Sequence, residues 1–244
     1  HYQPVVSLGS GRIVGAEALL RWRSASLGAV SPGIFIPIAE DTGMVEPIGS
    51  WLIEEVCKQL KAWRDQLAYR GSVAINVSSQ QFRNEGIVAQ IVAALEKYQL
   101  PAGCLEIEIT ERVVLDQSDE VLRDLAQLHQ HGIKLAIDDF GTGYSSLSYL
   151  QTFPFHKLKI DQSFVRRLTH NAQSGSLVVA IIAMAKSLDK EVIAEGIESA
   201  AEWRFLVDAG CDYGQGYWLG MPMSAMAFSH LIQTSPQLSL PMPS

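Results

Sequence analysis

The sequence predicts an α/β barrel: short β-forming runs alternate with segments of helical period, and seven or eight such units fit in the 244 residues. Strands that alternate with helices at this frequency lie parallel, and a doubly wound open sheet is the alternative architecture. No low-complexity block or charge run divides the chain before residue 234, which favours one domain. At 48% apolar and 18% charged residues, the chain can bury a large core.

Val5-Val6 and a strand-like stretch over 12–22 flank Gly9-Ser10-Gly11, the pattern of a hairpin. Leu52, Val56, Leu60, Trp63 and Leu67 step by four or three residues and predict a helix with one apolar stripe. Strands are expected at 72–77, 104–110, 133–138, 156–160, 191–194 and 211–213. Between them, Ile87, Ile91 and Leu95 repeat the helical step, as do Leu122, Leu125 and Leu128. Ser199 before Glu202 has the form of a capping box that opens a helix toward Trp203 and Leu206. The Pro/Ser-rich stretch 234–244 reads as a tail, so the domain is expected to span 1–233.

Charge and cysteine usage exclude several classes. Nineteen bases against 26 acids give a formal charge of -7, the wrong sign for holding a DNA or RNA polymer by its phosphates. Cys57, Cys104 and Cys211 stand far apart, without metal-ligand or disulfide spacing, and a reducing cytosol suits them. No signal peptide is visible; the apolar run 177–185 is too short to span a bilayer, and the uncharged stretch 213–244 is broken by Gly and Pro. The domain is therefore expected to be cytoplasmic, without direct membrane insertion. His1-Tyr2-Gln3-Pro4 reads as a strand already under way, so a domain cut from a longer protein is expected, with any membrane anchor of the full-length protein in the missing regions.

In a barrel of this type chemistry sits at the carboxyl ends of the strands, and here those ends are acidic. Asn76, Glu108, Glu111, Asp138, Asp139, Lys159, Asp161 and Glu195 close successive strands; Glu17 lies in the first hairpin and Gln215 follows the last strand. Each has an ordinary reading too. Glu106 and Glu108 share one strand face, which on an edge would be solvated. Asp138-Asp139 could cap a turn, Lys159 could be a solvated lysine, and Gly141-Thr142-Gly143 is a weak phosphate-loop pattern.

Convergence decides between the readings. Adjacent carboxylates at ~4 Å repel by roughly 4 kcal/mol at an effective dielectric of about 20, so such a cluster needs cations. Oxygen ligands without His or Cys point to Mg²⁺ or Mn²⁺, and an Asp shared between two ions suits attack on a phosphodiester. A Schiff-base Lys159 is the weaker alternative, because nearby carboxylates favour its charged form.

Glu17-Ala18-Leu19-Leu20-Arg21-Trp22 resembles the signature of the EAL-domain family of cyclic di-GMP phosphodiesterases. The match continues through Ala39-Glu40-Asp41-Thr42-Gly43, Asn76-Val77-Ser78, Glu108-Ile109-Thr110-Glu111, Asp138-Asp139-Phe140-Gly141-Thr142-Gly143, Lys159-Ile160-Asp161, Ala194-Glu195-Gly196-Ile197-Glu198 and Gln215-Gly216-Tyr217. The resemblance implies a modified TIM (β/α)8 barrel with one antiparallel strand near the N-terminus, the one carrying Glu17. It implies metal-dependent hydrolysis of cyclic di-GMP to linear pGpG, two Mg²⁺ or Mn²⁺ ions per site, inhibition by Ca²⁺, and a homodimer.

By the same resemblance Glu17, Asn76, Glu108 and Asp138 hold one metal, and Asp138, Asp139, Asp161 and Glu195 serve a second. Lys159, Glu195 and Glu17 carry the catalytic roles: Lys159 positions the attacking water and Glu195 is a general base. Gln3, Leu19, Arg21 and Gln215 meet the substrate, and Glu111 and Glu198 tether the loop 140–147. Some members of the family bind cyclic di-GMP without hydrolysing it, after losing such residues; here none is lost, which favours the enzyme over a receptor or interaction module.

Overall fold

Strand β1 (Tyr2–Ser7) turns through Gly9-Ser10-Gly11 into β2 (Ile13–Ala18), and the two pair antiparallel with Gln3 opposite Glu17. At Gly11 φ is 71°, and a Cβ would lie 2.7 Å from the Leu238 carbonyl oxygen, so the turn requires glycine. The computed structural model describes residues 1–83, 86–115, 118–141, 150, 153–168, 172–238 and 240.

Six further strands complete the barrel: β5 (Ser72–Asn76), β6 (Leu105–Thr110), β7 (Lys134–Phe140), β8 (Lys157–Ile160), β9 (Glu191–Ala194) and β10 (Tyr213–Gly214). A small hairpin of β3 (Trp22–Ser24) and β4 (Gly28–Val30) stands apart. The sheet closes in the order β1-β10-β9-β8-β7-β6-β5-β2, which excludes the open-sheet alternative. One expectation needs correcting. The antiparallel member is β1, not the strand carrying Glu17: β1 opposes both β2 and β10, whereas β2 runs parallel to β5 with Glu17 beside Ala74. A tight hairpin forces β1 and β2 into opposite senses, and the long crossover through α1 (Pro32–Asp41) and α2 (Val45–Leu67) makes β2 and β5 parallel.

Helices α3 (Ser79–Arg83), α4 (Ile87–Lys97), α5 (Glu111–Leu115), α6 (Asp119–Gln130), α7 (Gln162–Val165), α8 (Ala172–Ser187), α9 (Ala200–Asp208) and α10 (Ala225–Thr234) follow in chain order. The α2 stripe of Leu52, Val56, Leu60 and Trp63 is buried, with Leu67 packed at its edge. On α4, Ile87, Ile91 and Leu95 are buried as the period requires. On α6 the buried face is Val121, Leu125 and Leu128; Leu122, expected inside, is 41% exposed because steps of four and three from Val121 better follow the 3.6-residue turn. The Ser199 capping box forms, with Glu202 N donating to Ser199 Oγ and Ser199 N to Glu202 Oε2. Past α10 the tail stays on the barrel: Ile13 N donates to the Pro236 carbonyl and Leu238 N to that of Gly11. Among the described residues no helix is long and apolar enough to cross a membrane.

Two local features aim side chains at the barrel mouth. The register of β7 against β8 shifts between Ile137 and Phe140, and Asp139 within this irregularity adopts φ 54°, so consecutive aspartates are redirected where β7 ends. On β6 and β8, alternation sends Leu105, Ile107, Leu158 and Ile160 toward the helices and Glu106, Glu108, Lys157 and Lys159 into the barrel.

Candidate active site

The interior polar residues form two layers. In the lower one Lys157 Nζ donates to Glu106 Oε2 at 2.6 Å, both side chains buried. This answers the question left open for Glu106: it is an interior ion-pair partner, not a solvated edge residue. The upper layer is built around Lys159, whose side chain has no exposure to solvent. Its Nζ lies 2.7 Å from Glu108, 2.7 Å from Glu195, 3.1 Å from Asp138 and 3.6 Å from Glu17, carboxylates delivered by β6, β7, β2 and the end of β9.

Amides lock this ring. Asn76 Nδ2 donates to Glu17 Oε1 at 2.7 Å and to Glu108 Oε2 at 3.3 Å. Gln215 Nε2 donates to Glu17 Oε2 at 2.7 Å and to Gln3 Oε1 at 2.9 Å, and Gln3 Nε2 reaches the Gly220 carbonyl. Among the described residues Gln215 Oε1 is buried without a partner, an acceptor that a ligand donor would satisfy.

The electrostatics separate groups of one residue type. Burial opposes the charge on Lys159, but Asp138, Glu108, Glu17 and Glu195 outweigh it and hold the ammonium well above the usual lysine range. Such a lysine is a fixed cation, which removes the Schiff-base alternative. Burial also acts against ionised Glu17, yet Lys159 and the donors Gln215 and Asn76 prevail and lower its pKa. Burial and the Glu17 charge push Glu108 far up. Glu195 rises to about 8, chiefly by burial, and Asp139 to about 6 by burial and the charge of Asp138.

Carboxylate oxygens of Asp138, Asp139 and Glu195 lie within 4.8 Å of one another, so each can offer a ligand atom to one ion. An all-oxygen donor set fits a hard divalent cation and not zinc or copper. Asp161 caps α7, accepting from Ser163 N at 2.9 Å, and its charge helps to raise Asp139.

A cavity of about 280 Å³ opens above the ring, lined by Glu17, Asp138 and Glu195 together with Gln3, Leu19, Arg21 and Gln215. Arg21 is exposed there, its guanidinium donating to the Leu20 carbonyl at 2.8 Å. Glu111 Oε2 accepts from Gly141 N at 3.3 Å, at the start of the loop 140–147. Residues 142–147 of that loop lie outside the described residues. Glu198 accepts from Arg166 at 2.7 Å, and both line the cavity. Arg166 was not singled out from sequence; a base one helical turn after Gln162, just past the strand bearing Lys159, was the available signal.

The model of the EAL domain family matches residues 1–222. The bifunctional diguanylate cyclase/cyclic di-GMP phosphodiesterase MucR of Pseudomonas aeruginosa is 41% identical over 225 residues, 92% of this chain and 33% of its own length. The cyclic di-GMP phosphodiesterase PdeR of Escherichia coli is 39% identical over 228 residues, 93% of this chain and 34% of its own. The solved structure of the PaMucR phosphodiesterase in complex with c-di-GMP superimposes with a TM-score of 0.90 at 40% identity, covering 93% of this chain and 92% of that one. The chain spans about a third of the length of the curated relatives it matches. Its barrel, its acidic mouth and these matches agree: the chain belongs to the EAL domain family and is homologous to cyclic di-GMP phosphodiesterases such as MucR and PdeR.

Proposed function

We propose that this domain hydrolyses one phosphodiester bond of cyclic di-GMP to give linear pGpG, using Mg²⁺ or Mn²⁺ at the barrel mouth. The observation that carries this reading is the ring of Glu17, Glu108, Asp138 and Glu195 around the Lys159 ammonium, beneath a cavity edged by Arg21. Glu17, Asn76, Glu108 and Asp138 are suited to one ion, and Asp138, Asp139 and Glu195, with Asp161 behind them, to a second. Two such ions, when bound, supply Lewis acidity to the phosphate and acidity to the attacking water.

The protein's own groups do the rest. Arg21 faces the substrate phosphate, and Gln3, Leu19 and Gln215 orient the adjoining nucleoside. Lys159, permanently charged, donates toward the attacking oxygen and stabilises negative charge that develops on the phosphoryl group. Glu195 has enough proton affinity to receive the proton released by water. The water oxygen bonds to phosphorus, the P–O3′ bond breaks, and the leaving 3′ oxygen takes up a proton, so pGpG carries a 5′ phosphate and a free 3′ hydroxyl. Domain limits of 1–233, with 234–244 as a tail, and a homodimer belong to this reading.

Chromatography of cyclic di-GMP incubated with the domain tests it. Turnover to pGpG is expected with Mg²⁺ or Mn²⁺. Loss of turnover is expected with Ca²⁺, whose longer and looser coordination does not hold in-line geometry. Calorimetric binding without any pGpG under both Mg²⁺ and Mn²⁺ would establish the receptor reading instead. Repeating the assay across protein concentration shows whether activity follows dimerisation.

A further inference from the structure

At the end of the barrel opposite the catalytic mouth, four neighbouring strands gather a different chemistry. β10, β1, β2 and β5 are adjacent in the closed sheet. Register sets Ser7 beside Tyr213 across β1 and β10, and Gly15 beside Ser72 across β2 and β5. Arg12, just before β2, and Arg70, two residues before β5, therefore emerge on one rim, at the amino ends of two parallel strands.

A cavity of about 550 Å³ opens on this rim, against about 280 Å³ at the mouth. Arg12 and Arg70 line it with Ser7, and no aspartate or glutamate is among its lining residues. Both arginines are exposed, and among the described residues neither guanidinium has an ion pair or a hydrogen-bond partner. Ser10 Oγ donates to Ser7 Oγ at 2.9 Å, which leaves the Ser7 proton for a ligand. The carboxylates that act on Tyr213, which also lines the cavity, are engaged elsewhere. Glu191 accepts from the Tyr213 hydroxyl at 2.7 Å, Asp212 is held by Lys186 and Val192 N, and Glu106 by Lys157.

On a chain of formal charge -7, two uncompensated guanidinium groups at one acid-free cavity select an anion. One planar fork satisfies both oxygens of a carboxylate; two forks and a hydroxyl match the three terminal oxygens and double charge of a phosphate monoester. The remaining wall is apolar, with Ile13, Val14, Leu67 and Ile232 half-buried along it. The volume falls in the range of small-molecule sites, about 300–1,000 Å³, and a phosphate alone would leave most of it empty.

We propose that the rim between Arg12 and Arg70 binds a soluble phosphate monoester with an organic body of nucleotide size, at a site separate from the catalytic mouth. The two guanidinium groups and the Ser7 hydroxyl hold the phosphate, and the body lies along Ile13, Val14 and Ile232.

Isothermal titration calorimetry of the whole 1–244 chain in EDTA, with adenosine 5′-monophosphate as the probe, tests it. Saturable one-to-one binding is expected, weakening as NaCl rises. Arg12→Ala with Arg70→Ala should weaken it about tenfold or more, and Arg12→Lys with Arg70→Lys, which keep the charge and lose the fork, by less. Both positions are exposed, and unchanged circular dichroism and melting certify each variant. Adenosine, without the phosphate, and inorganic phosphate, without the body, should each bind at least about tenfold more weakly. Arg21→Ala, at the catalytic mouth, should leave the affinity unchanged. No binding at millimolar nucleotide, binding indifferent to the arginine pair, or binding removed by Arg21→Ala overturns the proposal. Equal affinity for inorganic phosphate would reduce the site to a simple anion contact and overturn it as well. So would sedimentation with phosphatidic acid vesicles that depends on the two arginines while the free nucleotide stays unbound, which would make the rim a lipid contact.

Discussion

Lys159 and Glu108 meet at 2.7 Å inside the barrel, and neither side chain is more than 1% exposed. Three more carboxylates share that ammonium, so the lysine is the cation on which the metal-free arrangement depends.

Replacing it exposes that dependence. Lys159→Met is expected to lower the stability of the metal-free domain by about 3–5 kcal/mol, the usual result of removing one partner from a buried charge pair. Mn²⁺ should recover much of the loss, since a divalent ion neutralises the same carboxylates. Urea denaturation in EDTA and in Mn²⁺ measures both. A variant as stable as wild type in EDTA would contradict this account of Lys159.

Glu17 gives a different pattern, because it is also an acceptor for two amides. Glu17→Ala should abolish pGpG formation and, by stranding the Asn76 and Gln215 donors, cost about 1–3 kcal/mol for each. The barrel should remain folded by circular dichroism. Retained turnover would remove Glu17 from the ligand set.

Proton competition sets the third expectation. Asp139 rises from 3.8 to about 6 and Glu195 from 4.5 to about 8 in the folded protein, so folding favours their protonated forms. Their contribution to stability is complete below the unfolded values and is lost as pH rises through about 6 and about 8. Metal must displace the same protons, so Mn²⁺ affinity should climb over that interval and each binding event should release protons. Calorimetry in buffers of different ionisation enthalpy reads that release; affinity flat between pH 6 and about 8.5 would refute it.

The lower layer should behave as structure alone. Glu106→Gln leaves the Lys157 ammonium without its carboxylate and is expected to cost about 3–5 kcal/mol, whereas Glu106→Leu with Lys157→Met should recover most of that. kcat for cyclic di-GMP should hardly move in the double variant. A large fall in kcat with stability restored would extend the catalytic machinery downward into the barrel.

Residues that close strands were readable because their place follows from alternation and from the chemistry of strand ends: Glu108, Asp138, Lys159 and Glu195 all meet at one ammonium. The hairpin was readable from Gly9-Ser10-Gly11, but its register was not: Val6 pairs with Ile13 beside the turn, and a shift between Val5 and Val6 then moves Gln3 opposite Glu17. What depends on partners distant in sequence was not readable. Glu106 has the same local pattern whether it faces water or Lys157, and only barrel closure brings β6 and β8 within reach of each other across β7. The sense of β2 depended on which later strand it joined, and the helix-capping contact of Asp161 with Ser163 N depended on where the helix after β8 begins.

A barrel that carries its own counter-ion does not have to wait for one. Small zinc modules stay unfolded until metal arrives, because their ligands have nothing else to hold them together. Here Lys159 stands in as a placeholder from the moment the strands close, and the amides of Asn76 and Gln215 keep the carboxylates aligned meanwhile. Assembly thereby needs no ion, and under the proposed mechanism a metal would enter a barrel already folded, with no cycle of unfolding between loaded and empty states.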